Sequence, residues 1–138
     1  MGGSAVAYTK PPLFVRSVFN PIAMATGVSG THTLIAPGRR SGEPARVPVI
    51  PVDHDGARYV VSVRGESDWV RNVRSAGSLQ LVGRGKAPQR YRAVEVPVGE
   101  RPPIIAAYRA KAGRTVELYW RKLPEPADHP TFRIEPEA

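Results

Sequence analysis

The segment GRRSGEP (38–44) contains the residues best suited to binding chemistry in this sequence. Arg39 and Arg40 offer charge-assisted hydrogen bonds, and Ser41 offers a hydroxyl. The flanking glycines allow tight backbone geometry, so that amide groups can point at an anion. A solvated surface turn can have the same composition. The segment therefore predicts either an anion site or an ordinary turn.

A second segment with binding potential is VRGESDWVRNVRSAG (63–77). A strong strand pattern ends at Arg64, and a helix capped by Ser67 or Asp68 begins within four residues. The first turn of a helix has free N–H groups and a partial positive charge, which favour anions. Arg71 points away from the apolar side of this helix, so packing alone does not require it. This segment is a second candidate for contacts with an anionic ligand.

Other residue types that carry chemistry are sparse. His32, His54 and His129 are far apart, and none has a partner ligand at helical spacing, so we predict no metal site. The chain has no cysteine, and no nucleophile motif is present. An enzyme of this composition would depend on a bound cofactor, with the protein supplying binding and orientation.

The charge of the chain favours anionic partners. The net charge is +8, and residues 39–92 contain eleven basic and five acidic residues. Nucleic acid, anionic lipid and a phosphorylated or carboxylated small molecule all fit such a field. Nucleic-acid binding needs exposed aromatics among the basic residues. Only Tyr91 lies between arginines, and strand alternation places it on the opposite face, so we predict no nucleic-acid partner.

These segments are positioned by short strands and helices. Hairpin turns are predicted at DHDG (53–56), where Gly56 can take a positive φ, and around GKAP (85–88). Helices are predicted at 67–77 and 101–113. The pattern predicts an antiparallel barrel or sheet with peripheral helices, and it lacks the rhythm of a Rossmann fold. The six predicted strands are 31–37, 45–52, 57–64, 78–84, 89–96 and 131–134.

The N-terminal region predicts one further helix. Phe14, Val18 and Ile22 share a helical face, although Pro21 weakens the helix. This helix would close the core, or alternatively rest weakly on a membrane surface, where its polar face offers only Arg16. The sequence lacks a signal-peptide pattern and an apolar run of membrane-spanning length. We expect one cytoplasmic domain over residues 1–138, with a flexible start at 1–10, as a monomer or homodimer.

Both binding segments together resemble the deazaflavin (F420)-dependent nitroreductase family of flavin/deazaflavin oxidoreductases. GRRSGEPARVP resembles the family pattern G-R-[RK]-[ST]-G-x-P-R-x-x-P at every defined position except Ala45, and SDWVRN resembles its later W-x-x-N helix. The segments YRAVEVP and HPTFRI also resemble the family, so the likeness extends from about residue 11 to 134. It implies a mainly β (α+β) fold, a split β-barrel like that of FMN-binding proteins, with short peripheral helices.

The resemblance also implies an activity and a set of binding residues. Reduced F420 would transfer hydride to a small electron-poor acceptor, and the arginine turn would hold the phosphate and acidic tail of F420. Binding of FMN or haem, or F420 carriage without turnover, is the alternative. The implied cofactor-binding residues are Arg39, Arg40, Ser41, Arg46, Val47, Pro48, Val49, Ile50, Val61, Ser62, Val63, Arg64, Asp68, Trp69, Val70, Arg71 and Asn72.

Three positions depart from the family pattern. Ala45 stands where the family has a basic residue, with Arg46 one place later. Ile50 and Val63 stand where some members have tyrosine and serine, so the resemblance favours cofactor binding more than reduction of nitro drugs. Tyr108 and Tyr119 are candidates for a hydrogen bond to the substrate, although both also fit as packing residues.

Overall fold

The computed structural model describes residues 30–137. The predicted N-terminal helix and the flexible start lie outside the described residues. Ten regular elements are present in the described part: β1 (His32–Pro37), β2 (Pro44–Val49), β3 (Val52–His54), β4 (Ala57–Val61), α1 (Asp68–Ala76), β5 (Ser78–Val82), β6 (Gln89–Glu95), α2 (Arg101–Ala112), α3 (Glu117–Lys122) and β7 (Thr131–Pro136).

The strands form one curled antiparallel sheet in the order β2-β1-β5-β6-β7-β4-β3. Its two edge strands, β2 and β3, are consecutive in the chain and are separated only by Ile50 and Pro51. Three Cα steps span at most roughly 11 Å, so the edges must approach each other at this corner. The sheet therefore curls into a split barrel, which confirms the predicted mainly β fold.

The predicted strand 45–52 is wrong as a single strand. It is divided into β2 and β3, so the described residues contain seven strands where six were predicted. Pro51 has no N–H to give to a ladder, and the side chain of Ile50 is buried in the core. Because the chain turns at Ile50 and Pro51, β2 forms one edge of the sheet and β3 forms the other.

The predicted strand 57–64 ends earlier, at Val61. Ser62 still donates its amide to Pro130 O (2.9 Å), but its hydroxyl donates to Gly65 O (2.7 Å). Gly65 has a φ of +79°, which reverses the chain before α1. Val63 and Arg64 consequently lie in a loop and not in a strand. We name residues 61–64 the ring segment, after the role that the resemblance implies.

The buried side chains form two clusters. In the first, α1 packs on the sheet through Val70 and Val73, which contact a cluster that includes Leu34 and Phe132. In the second, α2 and α3 cover the corner of the barrel; its largest members are Ile50, Ile104, Tyr108 and Trp120. Helix α3 was not predicted, because six residues after a short 3₁₀ turn give no helical periodicity.

Candidate functional site

The loop between β1 and β2, residues 38–43, is folded tightly on itself, and we call it the arginine loop. Gly38 N donates to Glu43 O, and Gly42 N donates to Gly38 O, both at 2.8 Å. Ser41 Oγ accepts from Glu43 N at 3.1 Å. A Cβ atom at Gly38 would lie 3.0 Å from Ser41 Oγ, so a larger residue there would displace the serine. The loop is thus a defined structure and not an arbitrary solvated turn.

Arg39 attaches the arginine loop to helix α1. Its backbone amide and its Nη1 donate to Asn72 Oδ1 at 3.0 and 2.9 Å. Its Nη2 reaches Asp68 Oδ1 at 3.4 Å. The two motifs found in the sequence are therefore in direct contact, although 33 residues separate Arg39 from Asn72.

The buried side chain of Asn72 holds the arginine loop against α1. It is only 4% exposed, and its carbonyl oxygen accepts both hydrogen bonds from Arg39. A side-chain oxygen at this position satisfies the backbone amide of Arg39, which makes no backbone hydrogen bond of its own within the described residues. The contact accounts for a polar residue beside the buried Val70 and Val73.

Removing this acceptor is expected to destabilise the protein. Asn72→Ala leaves the amide and one guanidinium nitrogen of Arg39 without their partner, which costs about 1–3 kcal/mol. Urea unfolding measures this loss. Asn72→Asp is the matched control, because it keeps an oxygen of the same reach and should retain most of the stability. Equal unfolding midpoints for Asn72→Ala and the unchanged protein would show that the contact contributes nothing.

The other sequence-predicted residues around the arginine loop divide into exposed and buried groups. Arg40, Ser41 and Arg46 are exposed. Val47 and Pro48 are half-buried, whereas Val49 and Ile50 are core residues. The exposed set can offer side-chain donors to a ligand, while Val49 and Ile50 could offer only backbone groups.

The predicted binding residues on helix α1 also differ in their exposure. Asp68, Trp69 and Arg71 are half-buried, and Val70 and Asn72 are buried. Trp69 packs against Phe132 with ring centroids 6.0 Å apart. Residues at the start of α1 therefore combine a partly accessible face with a firm attachment to the sheet.

Ser67, just before α1, carries an unsatisfied polar atom that sequence reasoning missed. It occupies the N-cap position, yet its side chain makes no cap hydrogen bond. The residue is 4% exposed, and its Oγ has no hydrogen-bond partner in the described structure. Buried hydroxyls normally have a partner. This one lies between the ring segment and the first turn of α1.

In the ring segment, the side chains of Val61, Ser62 and Val63 are buried, and Arg64 is half-buried. Arg64 Nη2 donates to Tyr119 Oη at 3.2 Å, across 55 residues of sequence. Tyr119 is itself half-buried on α3. The structure thus brings one of the two tyrosine candidates to the end of the ring segment.

Tyr108 has a different environment. It is 1% exposed within the second core cluster, and its hydroxyl has no hydrogen-bond partner among residues 30–137. Burial raises the pKa of Tyr108, so the phenol stays protonated. Tyr108 is a packing residue in this structure, whereas Tyr119 remains a candidate.

Two structural findings concern other kinds of site. No cluster of three or more His, Asp or Glu side chains in the described range is placed to hold a metal ion. No helix within residues 30–137 is long and apolar enough to cross a membrane.

Comparison with solved structures places this fold among known split barrels. The F420-H2 dependent reductase FDR-A superposes with a TM-score of 0.59 at 20% identity, over 78% of this chain and 95% of its own. A domain-swapped dimer gives 0.58 at 20% identity, over 78% and 81%. HutZ, the heme storage protein from Vibrio cholerae, gives 0.55 at 17% identity, over 79% and 82%. At these identities the likeness shows the fold alone.

Comparison of sequences identifies the family. None of the curated proteins matches the chain. The family model described as F420H(2)-dependent quinone reductase matches residues 22–123, which include the arginine loop, the ring segment and all three described helices. Because this match covers most of the sequence, the chain belongs to the F420H(2)-dependent quinone reductase family, and the predicted relationship to F420-dependent oxidoreductases is confirmed.

Proposed function

We propose that this protein uses reduced F420 to transfer hydride to a small electron-poor organic acceptor, such as a quinone or an activated alkene. The observation that carries the proposal is the Arg39–Asn72 contact, which joins the arginine loop to the start of α1. The contact joins the arginine loop to α1, and the ring segment precedes α1 in the chain, which supports one shared binding site. Family membership supports the cofactor, and the remaining steps are argued from the residues.

The donors of the arginine loop fit a phosphate and carboxylate tail. Arg40 and Ser41 are exposed at its tip, and Arg46 is exposed on the adjoining strand. Guanidinium groups bind such oxygens through paired, charge-assisted hydrogen bonds. The contacts of Arg39 with Asn72 and Asp68 also fix the conformation of the arginine loop. Arg40 and Ser41 are thereby held in position before a ligand binds.

The ring segment and the start of α1 fit a flat, apolar-sided ring. The valine side chains at 61 and 63 are buried, and Ser67 Oγ is a buried polar atom without a partner in the described structure. Deazaflavin, when bound, supplies the hydride, which agrees with the lack of an acid–base constellation in the sequence. The protein's part is to bind, orient and exclude water.

Tyr119 is the residue that we assign to the acceptor. Its oxygen already accepts a hydrogen bond from Arg64, so its own O–H remains able to donate. A carbonyl oxygen of a quinone gains negative charge as hydride arrives, and a donor at that position stabilises it. Arg64 beside the phenol strengthens the effect by its positive charge.

This assignment predicts a measurable loss in Tyr119→Phe. Losing one neutral hydrogen bond of about 1 kcal/mol should lower kcat/KM for a quinone by about fivefold to tenfold. The matched control is Tyr108→Phe, which removes a buried hydroxyl without a partner and should leave the rate unchanged. Stopped-flow measurement of F420H2 oxidation tests both. Equal losses in the two variants would contradict the role of Tyr119.

A cofactor panel tests the function as a whole. The purified protein is titrated with F420, FMN and haem, and then mixed with F420H2 and a series of quinones and activated alkenes. We expect binding of F420 with preference over FMN, and acceptor-dependent oxidation of F420H2. Tighter binding of FMN or haem would refute the proposal. Tight F420 binding without turnover of any acceptor would indicate a carrier.

A further inference from the structure

His129 lies in an unusual environment for a histidine. Its ring is fully buried, at 0% exposure, just before β7. Nδ1 is 2.7 Å from Ser62 O, and Nε2 is 2.6 Å from Leu123 O. Both ring nitrogens are therefore at hydrogen-bond distance from backbone carbonyl oxygens of two different segments.

These contacts define the protonation of the ring. A carbonyl oxygen can only accept a hydrogen bond, and a neutral imidazole has only one N–H to donate. In either neutral tautomer, a nitrogen lone pair would face a carbonyl oxygen at less than 2.8 Å. Only the imidazolium, with a proton on each nitrogen, satisfies both contacts.

The surroundings can accommodate this positive charge. The ring stacks on Trp120 with centroids 4.0 Å apart and planes inclined by 12°, which is a favourable geometry for a cation over an indole. Both carbonyl contacts become charge-assisted hydrogen bonds. The Arg109 guanidinium also lies 5.2 Å from the centroid of the Trp120 ring. Charged or titratable side chains on the neighbouring elements include Arg64, Arg101, Tyr108, Arg109, Glu117, Tyr119, Arg121, Lys122, Glu125 and Asp128. Within the described residues, none of them bonds to the imidazole ring.

The two carbonyls belong to the segments on which the proposed reaction depends. Ser62 lies in the ring segment, and Leu123 is the residue that ends α3, where its amide donates to Tyr119 O at 2.8 Å. His129 connects them through their backbones, in addition to the side-chain hydrogen bond from Arg64 to Tyr119. We propose that His129, protonated on both nitrogens, is a positioning residue that holds Tyr119 in place relative to the ring segment. The positioning role rests on the proposed function, whereas the protonation does not.

The protonation is tested on the protein without cofactor. Nitrogen-15 NMR of the histidine side chains at neutral pH should show protons on both ring nitrogens of His129, with His32 and His54 as internal references. A neutral-tautomer signature for His129 would overturn the inference. This experiment is independent of F420, so failure of the proposed function would leave its result interpretable.

The positioning role is tested with His129→Phe, which keeps a flat ring on Trp120 but has no donors. Hydrogen exchange of the Ser62 and Leu123 amides should become at least tenfold faster than in the unchanged protein. Once activity is normalised to the fraction of protein that binds F420, kcat should fall about tenfold with F420 affinity within about twofold.

His54→Phe is the matched control, since His54 is a half-buried histidine with no side-chain hydrogen bond in the described structure. It should leave amide exchange and kcat unchanged. If His129→Phe does not fold, the same two measurements are made on His129→Gln, whose N–H donors lie on one nitrogen and cannot span both carbonyls. An unaltered kcat in a folded variant would refute the positioning role.

Discussion

Replacing Arg40 by glutamate is expected to weaken F420 binding more than tenfold, which corresponds to at least about 1.4 kcal/mol. Arg40 is exposed at the tip of the arginine loop, beside Ser41. The change removes a hydrogen-bond donor from the arginine loop and introduces a negative charge near the anionic tail of F420. The lost hydrogen bonds and the charge repulsion both weaken the binding free energy. Fluorescence titration with F420 at fixed low salt measures the affinity.

Arg84→Glu is the matched control for this charge reversal. Arg84 is equally exposed, but it follows β5, at the end of β1 opposite to the arginine loop. About 17 Å of strand separates the two ends, which exceeds the screening length of roughly 10 Å at 0.1 M salt. Arg84→Glu should change F420 affinity by less than twofold at that salt concentration. Equal losses in the two variants would mean that net charge, and not the loop, governs binding.

Arg39→Glu should weaken F420 binding at least as strongly as Arg40→Glu, because it reverses a charge and also breaks contacts that hold the arginine loop. Arg39 anchors the loop to Asn72 and Asp68, so its reversal brings two carboxylates together and releases the loop as well. We therefore expect Arg39→Glu to lower stability and affinity together. Unchanged stability in Arg39→Glu would show that the arginine loop does not depend on these contacts.

Local pattern was sufficient to predict most of the elements of this fold. Alternation placed Tyr91 in the core with Arg90 and Arg92 outside, as the structure shows. The hairpin turn at Gly56 is present, with Asp55 also at a positive φ of 53°. Helix α1 ends at Gly77, at a φ of 72°, as predicted. In each case the deciding interaction is between near neighbours in sequence.

Contacts between distant residues were not predictable in the same way. Nothing in the neighbourhood of Asn72 indicates that it accepts from Arg39, because that pairing arises only when the sheet curls and α1 packs on it. The bonds of His129 to Ser62 and Leu123 depend on three separate segments meeting. The resemblance identified the two motifs as parts of one site, but the residues that support the site come from tertiary packing.

Loss of the buried Arg101 side chain should destabilise the protein. Arg101 is 5% exposed at the start of α2, although an arginine at a helix start is unfavourable by the helix dipole. Its Nε donates to Val96 O at 2.9 Å, its Nη1 to Pro126 O at 3.1 Å and its Nη2 to Glu95 Oε2 at 3.2 Å. One side chain thus joins the end of β6, the start of α2 and the segment before His129.

Arg101→Met keeps much of the volume but takes the guanidinium donor away from Val96 O. Pro126 O keeps its hydrogen bond from His129 N, and Glu95 keeps its ion pair with Arg74. Losing a donor to a buried polar atom costs about 1–3 kcal/mol, and we expect a loss in that range from urea unfolding. Arg92→Met is the control, because its side chain is 64% exposed and its ion pair with Glu135 should contribute at most about 1 kcal/mol. A loss below about 1 kcal/mol in Arg101→Met would show that the three segments are held by apolar packing. A loss in the expected range would show that Arg101 contributes a polar link between the end of β6, α2 and the segment before His129.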